Sequence, residues 1–103
     1  MTEAQLQDVA IELARVLGWR VAHFRPARTE KGYRTPVSAD GAGFVDLVLV
    51  GRGRVLFREL KSSIGRLSHA QRLWGVALRG AGADYDIWTP EDWISGRIEK
   101  ALQ

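Results

Sequence analysis

Residues 55–62, VLFRELKS, set Glu59 and Lys61 two positions apart inside a run otherwise suited to a buried strand. Alternate side chains of a strand share a face, so Glu59 and Lys61 project with Phe57, and Arg58 projects the other way with Leu56 and Leu60. The preceding apolar run, FVDLVLV, carries Asp46 as its one charge, and the short glycine-containing turn GRGR joins the two. That connection predicts an antiparallel hairpin, with Asp46 alongside the end that holds Glu59 and Lys61. Two neighbouring carboxylates repel, and burying them is costly unless something neutralises the pair. A hard divalent cation does so: Mg²⁺ favours oxygen ligands, keeps several waters and usually takes one or two carboxylates plus substrate phosphates. Lys61 could then hold a water or stabilise negative charge on a phosphate. A lone E-x-K is better explained as a partly buried salt bridge of Lys61 with Asp46 or Glu59. Asp46 on the adjoining strand tips the balance toward a site.

The elements that must position these residues are legible in the surrounding pattern. Thr2 and Gln5 form a capping box ahead of Leu6, Val9, Ala10, Leu13, Val16 and Leu17 at helical spacing, and Gly18 ends the run. Residues 19–24 read as a short strand. Residues 27–43, without periodicity and rich in Gly, Thr, Ser and Arg, read as a loop of a length that is usually functional or disordered. Ser68 opens a second helix with Leu73, Trp74, Ala77 and Leu78 expected on its inner face. Residues 85–88 form a fourth strand, and Pro90 starts a last helix through residue 102. The order is αβββαβα in one domain, residues 1–103: an α/β fold with a three-stranded meander and a helical crossover to one more strand.

GFVDLVLV, RELKS and LSHAQRLW, in that order after a helix bearing a glutamate, resemble the PD-(D/E)xK nuclease superfamily. The likeness is closest to its small stand-alone VRR-NUC type nucleases and covers the chain from Glu3 to about Trp88. The resemblance implies a restriction-endonuclease-like αβββαβ core with a mixed four-stranded sheet flanked by helices. It implies Mg²⁺ or Mn²⁺ held by Asp46 and Glu59, with the carbonyl of Leu60 completing the ligand set. By the same resemblance Lys61 orients the attacking water, and Gln71 braces the site or contacts phosphate. The helix-1 acid is read as Glu3, at the edge of the apolar stripe, rather than the solvated Glu12; a first-turn acid favourable to the helix dipole is the other reading of Glu3. The proline usual before the aspartate is here Val45, which shapes backbone more than chemistry.

Composition bounds the partners. Twelve of the fifteen basic residues are arginine, the side chain suited to forked phosphate contacts, although a GC-rich genome explains that usage equally well. Arg25, Arg28, Lys31, Arg34, Arg66 and Arg72 are candidate phosphate contacts, as is Ser62, with a solvated basic surface as the alternative. Ser68 reads first as a helix cap. His23 and His69 form no recognisable metal pair, and Trp74, Trp88 and Trp93 fit core packing better than base stacking. The chain has no cysteine, no apolar run long enough to span a bilayer and a polar N-terminal stretch, which suits a cytoplasmic protein. The expected activity is a metal-dependent DNA endonuclease that selects structure, such as a flap or four-way junction, and works as a homodimer without a small-molecule cofactor. A silent nucleic-acid-binding module of the same fold and an RNA-directed nuclease are the alternatives.

Overall fold

A computed structural model describes residues 1–24, 27–29, 32–34 and 38–103, with side chains for 1–24 and 38–103. In chain order the elements are α1 (Glu3–Val16), β1 (Arg20–His23), β2 (Ala27–Thr29), β3 (Gly32–Arg34), β4 (Leu47–Gly51), β5 (Arg54–Leu60), α2 (His69–Gly80), β6 (Asp84–Trp88), α3 (Pro90–Ile94) and α4 (Arg97–Leu102). α1 opens on the expected capping box. The Gln5 amide donates to Thr2 Oγ1 at 3.1 Å and the Thr2 amide donates to Gln5 Oε1 at 2.8 Å. Such a cap is worth about 1 kcal/mol.

The main sheet has the order β1-β4-β5-β6. β1 pairs with β4 and β4 with β5 antiparallel, whereas β5 and β6 run parallel across the α2 connection. The mixed four-stranded α/β arrangement and the meander read from the sequence are therefore observed. One face of the sheet, through Leu47, Leu49, Leu56, Leu60 and Trp88, packs on Leu6, Ala10 and Ala14 of α1 and on Ile98 and Leu102 of α4. Burying each such leucine contributes about 1.5–3 kcal/mol. α2 lies on the opposite face, against β6.

Arg58 is on the core face, as the alternation predicts, and it is 4% exposed. Its guanidinium donates to the Asp84 carbonyl at 2.7 Å and to Asp84 Oδ1 at 3.0 Å, and it lies over the Trp88 ring. Burial pushes its pKa down, opposed by Asp84. This is a structural pair, remote in role from Glu59.

Three expectations are corrected. The segment 27–43 is not all loop, because β2 and β3 form an antiparallel hairpin within it. The last helix is two helices: Gly96 takes φ 81, which breaks the α-helical path between α3 and α4. The inner face of α2 is rotated from the one predicted. Gly75 is its buried residue, Trp74 and Leu78 are half-buried, and Leu73 is 56% exposed with Ala77 also exposed. The apolar spacing misled because α2 has hydrophobic residues on both flanks, and the sheet takes the flank that contains glycine.

The GRGR turn has a structural job. Arg52 donates to the Leu17 carbonyl at the end of α1 at 3.0 Å. Arg54 donates to the Ala101 carbonyl in α4 at 3.0 Å and stacks on Trp19. Both guanidinium groups satisfy carbonyls at the negative ends of helices. No described helix is long and apolar enough to cross a membrane.

Candidate metal and phosphate site

The last β4–β5 pair toward the sheet end is Leu47 with Arg58. One step on, the ladder is continued by a side chain: the Leu60 amide donates to Asp46 Oδ2 at 2.8 Å. The Asp46 carbonyl meanwhile accepts from the Phe24 amide at 3.1 Å. Asp46 is thereby fixed beside Glu59 from both its backbone and its side chain. Leu60 enters the site through its amide, as a support for Asp46.

Glu59 is 2% exposed. Its pKa is pushed up to about 9, chiefly by burial, then by the hydrogen bond with Asp46 and by the Asp46 charge; Lys61 opposes this and Glu3 adds to it. Glu59 thus keeps its proton at neutral pH. Lys61 directly follows β5, with its amide bonded to the Trp88 carbonyl at 3.0 Å. Among the described residues its amine makes no ion pair with either carboxylate. The simple salt-bridge explanation of E-x-K therefore lacks its bridge.

Gln71 joins the same cluster. Its Nε2 donates to Glu59 Oε1 at 3.1 Å, and its Oε1 accepts from the Ser68 amide at 2.8 Å. Ser68 Oγ in turn accepts from the Gln71 amide, so Ser68 is the helix cap expected of it. One glutamine both completes the α2 cap and braces a buried acid.

Glu3 is exposed on the first turn of α1, and its charge is felt at Glu59. Among the described residues no group of three or more His, Cys, Asp or Glu is gathered as a ready metal site. The donor set present is two carboxylates. That fits a hard ion such as Mg²⁺ or Mn²⁺ completing its shell with water and phosphate, and the proton on Glu59 occupies the place of that positive charge.

Ser62 is half-buried beside Lys61, and Arg66 and Arg72 are exposed on the connection into α2 and on its first turn. Arg28 and Arg34 lie on β2 and β3, whose backbone alone is described, and Arg25 and Lys31 fall outside the described residues. Trp88 is buried in the core and Trp93 packs against it, while Trp74 donates from its indole to the Asp40 carbonyl at 2.8 Å. Those placements agree with the packing reading of the three tryptophans.

Two glycines escaped the sequence reading. A Cβ on Gly75 would lie 2.9 Å from the Tyr85 hydroxyl, so glycine is what lets α2 approach β6 there. Gly43, at φ 79, would place a Cβ 2.7 Å from the Ala70 backbone, and its absence lets the segment before Asp46 rest on the start of α2. A glycine inside a helix is a signal of close packing, and Gly75 offered it. The shallow groove lined by Ala42, Ala70, Leu73, Trp74 and Ala77 lies on α2 beside this cluster, separate from the carboxyls. Comparison with protein-family models, with curated proteins and with solved structures finds no match to the chain.

Proposed function

We propose that the protein is a metal-dependent nuclease of the PD-(D/E)xK kind, with a restriction-endonuclease-like core, that hydrolyses phosphodiester bonds in DNA. The observation that carries this reading is Glu59, almost fully buried beside Asp46 and braced by Gln71, with no ion pair from Lys61 to either carboxyl. A stable core gains nothing from such an acid pair, since isolated buried carboxyls oppose folding.

Asp46 and Glu59 would hold the ion, Mg²⁺ or Mn²⁺, which supplies charge neutralisation at the phosphate and a water made more acidic. Gln71 keeps Glu59 turned into the site, and the Leu60 amide does the same for Asp46. The Lys61 ammonium donates hydrogen bonds to the attacking water or to a phosphate oxygen, where negative charge grows in the transition state. Arg66 and Arg72 hold flanking phosphates. In the net reaction one water is consumed: its oxygen bonds to phosphorus, the bond from phosphorus to O3′ breaks, and O3′ receives a proton. The products are a 5′-phosphate and a 3′-hydroxyl. The small domain has little surface for reading bases, which favours recognition of DNA shape, and a homodimer would suit paired cuts at a branch.

The test is incubation of the purified protein with junction, flap, single-stranded and duplex DNA and with matched RNA, in Mn²⁺ or EDTA. Cleavage of branched DNA in Mn²⁺, abolished by EDTA and in Glu59→Ala and Lys61→Ala, is expected. Cleavage undiminished in EDTA would sink the metal mechanism. Binding with no cleavage of any substrate would leave a nucleic-acid-binding module, and cleavage of RNA alone would make the substrate RNA.

A further inference from the structure

Directly beyond Lys61 the chain folds into a tight turn, closed by the Gly65 amide donating to the Ser62 carbonyl at 3.1 Å. Ile64 stands within this turn at 91% exposure, the highest of the exposed large hydrophobic residues. Such turns favour small polar residues, as the neighbouring Ser62, Ser63 and Gly65 illustrate. A single exposed apolar side chain needs no explanation by itself. Ile64 is distinguished by its setting. The turn packs back on the candidate site, since a Cβ on Gly65 would lie 2.9 Å from Ser62 Oγ and 3.4 Å from Lys61 Cδ. The apolar tip therefore rises from a turn that lies close to the Lys61 side chain, and its β-branched side chain has little rotamer freedom to lose.

The chain that follows Glu59 has one sign of charge. Between Glu59 and Asp84 the chain carries Lys61, Arg66, Arg72 and Arg79 and no acid. Arg66 and Arg72 are exposed on either side of the α2 cap. Cations that grip phosphates around a projecting aliphatic residue are the combination by which proteins unstack and kink nucleic acid.

We infer that Ile64 is a wedge, entering the base stack next to the phosphate held at Lys61 while Arg66 and Arg72 hold the backbone. This rests on the nuclease reading and specifies its substrate: DNA already unstacked at a branch, flap or mismatch, where opening the stack costs least. A perfect duplex resists the wedge. The preference for distorted DNA then resides in one side chain that takes no part in the hydrolysis.

The experiment uses flap and perfect-duplex DNA with 2-aminopurine at the branch position, bound by wild type, Ile64→Ala and Ile64→Leu in Ca²⁺, with cleavage of the same DNAs followed in Mn²⁺. Wild type and Ile64→Leu are expected to raise 2-aminopurine fluorescence on the flap. Ile64→Ala is expected to leave it unchanged and to lose about tenfold in the flap-to-duplex cleavage ratio, while single-stranded DNA is cut at the wild-type rate. An Ile64→Ala protein that unstacks the base and prefers the flap as wild type does overturns the wedge. So does loss of a dimer in Ile64→Ala on sedimentation, which would make Ile64 a protein contact. If wild type neither binds nor cuts any of these DNAs, the nuclease reading itself fails; if it cuts without a fluorescence rise, the wedge alone fails.

Discussion

Gln71 Nε2 donates to Glu59 Oε1 at 3.1 Å, across the seam between α2 and β5. The other end of the same amide accepts from the Ser68 amide, so the cap fixes which end faces the acid. Gln71→Glu should separate the two roles. A glutamate still accepts from Ser68 and preserves the cap, but it sets a third carboxylate against Glu59. The expected outcome is a Tm close to wild type at pH 5 and cleavage at pH 7.5 reduced by about tenfold or more. Gln71→Ala loses the side-chain half of the capping box as well and should cost about 1 kcal/mol at any pH, measured by urea unfolding.

Glu59 gives the metal-free protein a defined pH dependence. Its folded pKa of about 9 lies above its unfolded value, so the folded state holds an extra proton between about pH 4.5 and 9. The stability slope is therefore negative in that window: the acid is tolerated at low pH, and stability is lost as pH rises toward 9. Glu59→Gln should flatten the slope and be more stable than wild type at pH 8.5, read by urea unfolding in EDTA. An alkaline wild type as stable as at pH 5 would count against the proton on buried Glu59.

Binding of a cation must displace that proton. In calorimetry with Mn²⁺ at pH 7.5, about one proton should be released per ion, and apparent affinity should rise about tenfold per pH unit up to about pH 8. Glu59→Gln should bind at least about tenfold more weakly and release none.

Gly75 and Tyr85 control the approach of α2 to the sheet. Gly75→Ala should force the helix outward by pressing on the tyrosine ring, one helical turn from Gln71. Cleavage should fall about tenfold although alanine is the better helix former. Gly75→Ala combined with Tyr85→Leu, which removes the ring, should recover most of the loss, and a double variant no better than the single would refute the packing account.

The basic residues should divide by salt dependence. Arg66→Ala and Arg72→Ala are each expected to lower the slope of log affinity for DNA against log salt by about 1. Arg52→Ala and Arg54→Ala, whose guanidinium groups serve helix carbonyls, should leave the slope unchanged and each cost about 1 kcal/mol of stability.

Much of this arrangement is written in local pattern. Alternation in VLFRELKS placed Glu59 and Arg58 on opposite faces, and the glycine turn aligned Asp46 with Glu59. The Thr2 capping box and the Ser68 cap were readable because each is a short local pattern, in the first case two residues three positions apart. What escaped depends on distant surfaces. The rotation of α2 is decided by where Tyr85 leaves room, and a hydrophobic count over the helix cannot see a tyrosine on another strand. Gly96 breaks the last helix through a left-handed backbone that the periodicity of Trp93, Ile98 and Leu102 conceals.

The hydrogen bonds to Asp46 and Glu59 have a consequence for the choice of ion. One oxygen of each carboxyl is engaged by an N–H donor, from Leu60 on one side and Gln71 on the other. Apart from the hydrogen bond between the two acids, which a cation would displace, each has one oxygen not taken by an N–H donor, so the pair presents two point ligands rather than two bidentate clamps. Calcium, which needs six to eight oxygens and often takes carboxylates through both, is poorly matched to such a pair. Magnesium and manganese, content with fewer protein oxygens and several waters, are well matched. Discrimination between ions would then reside in two amides that never touch the metal.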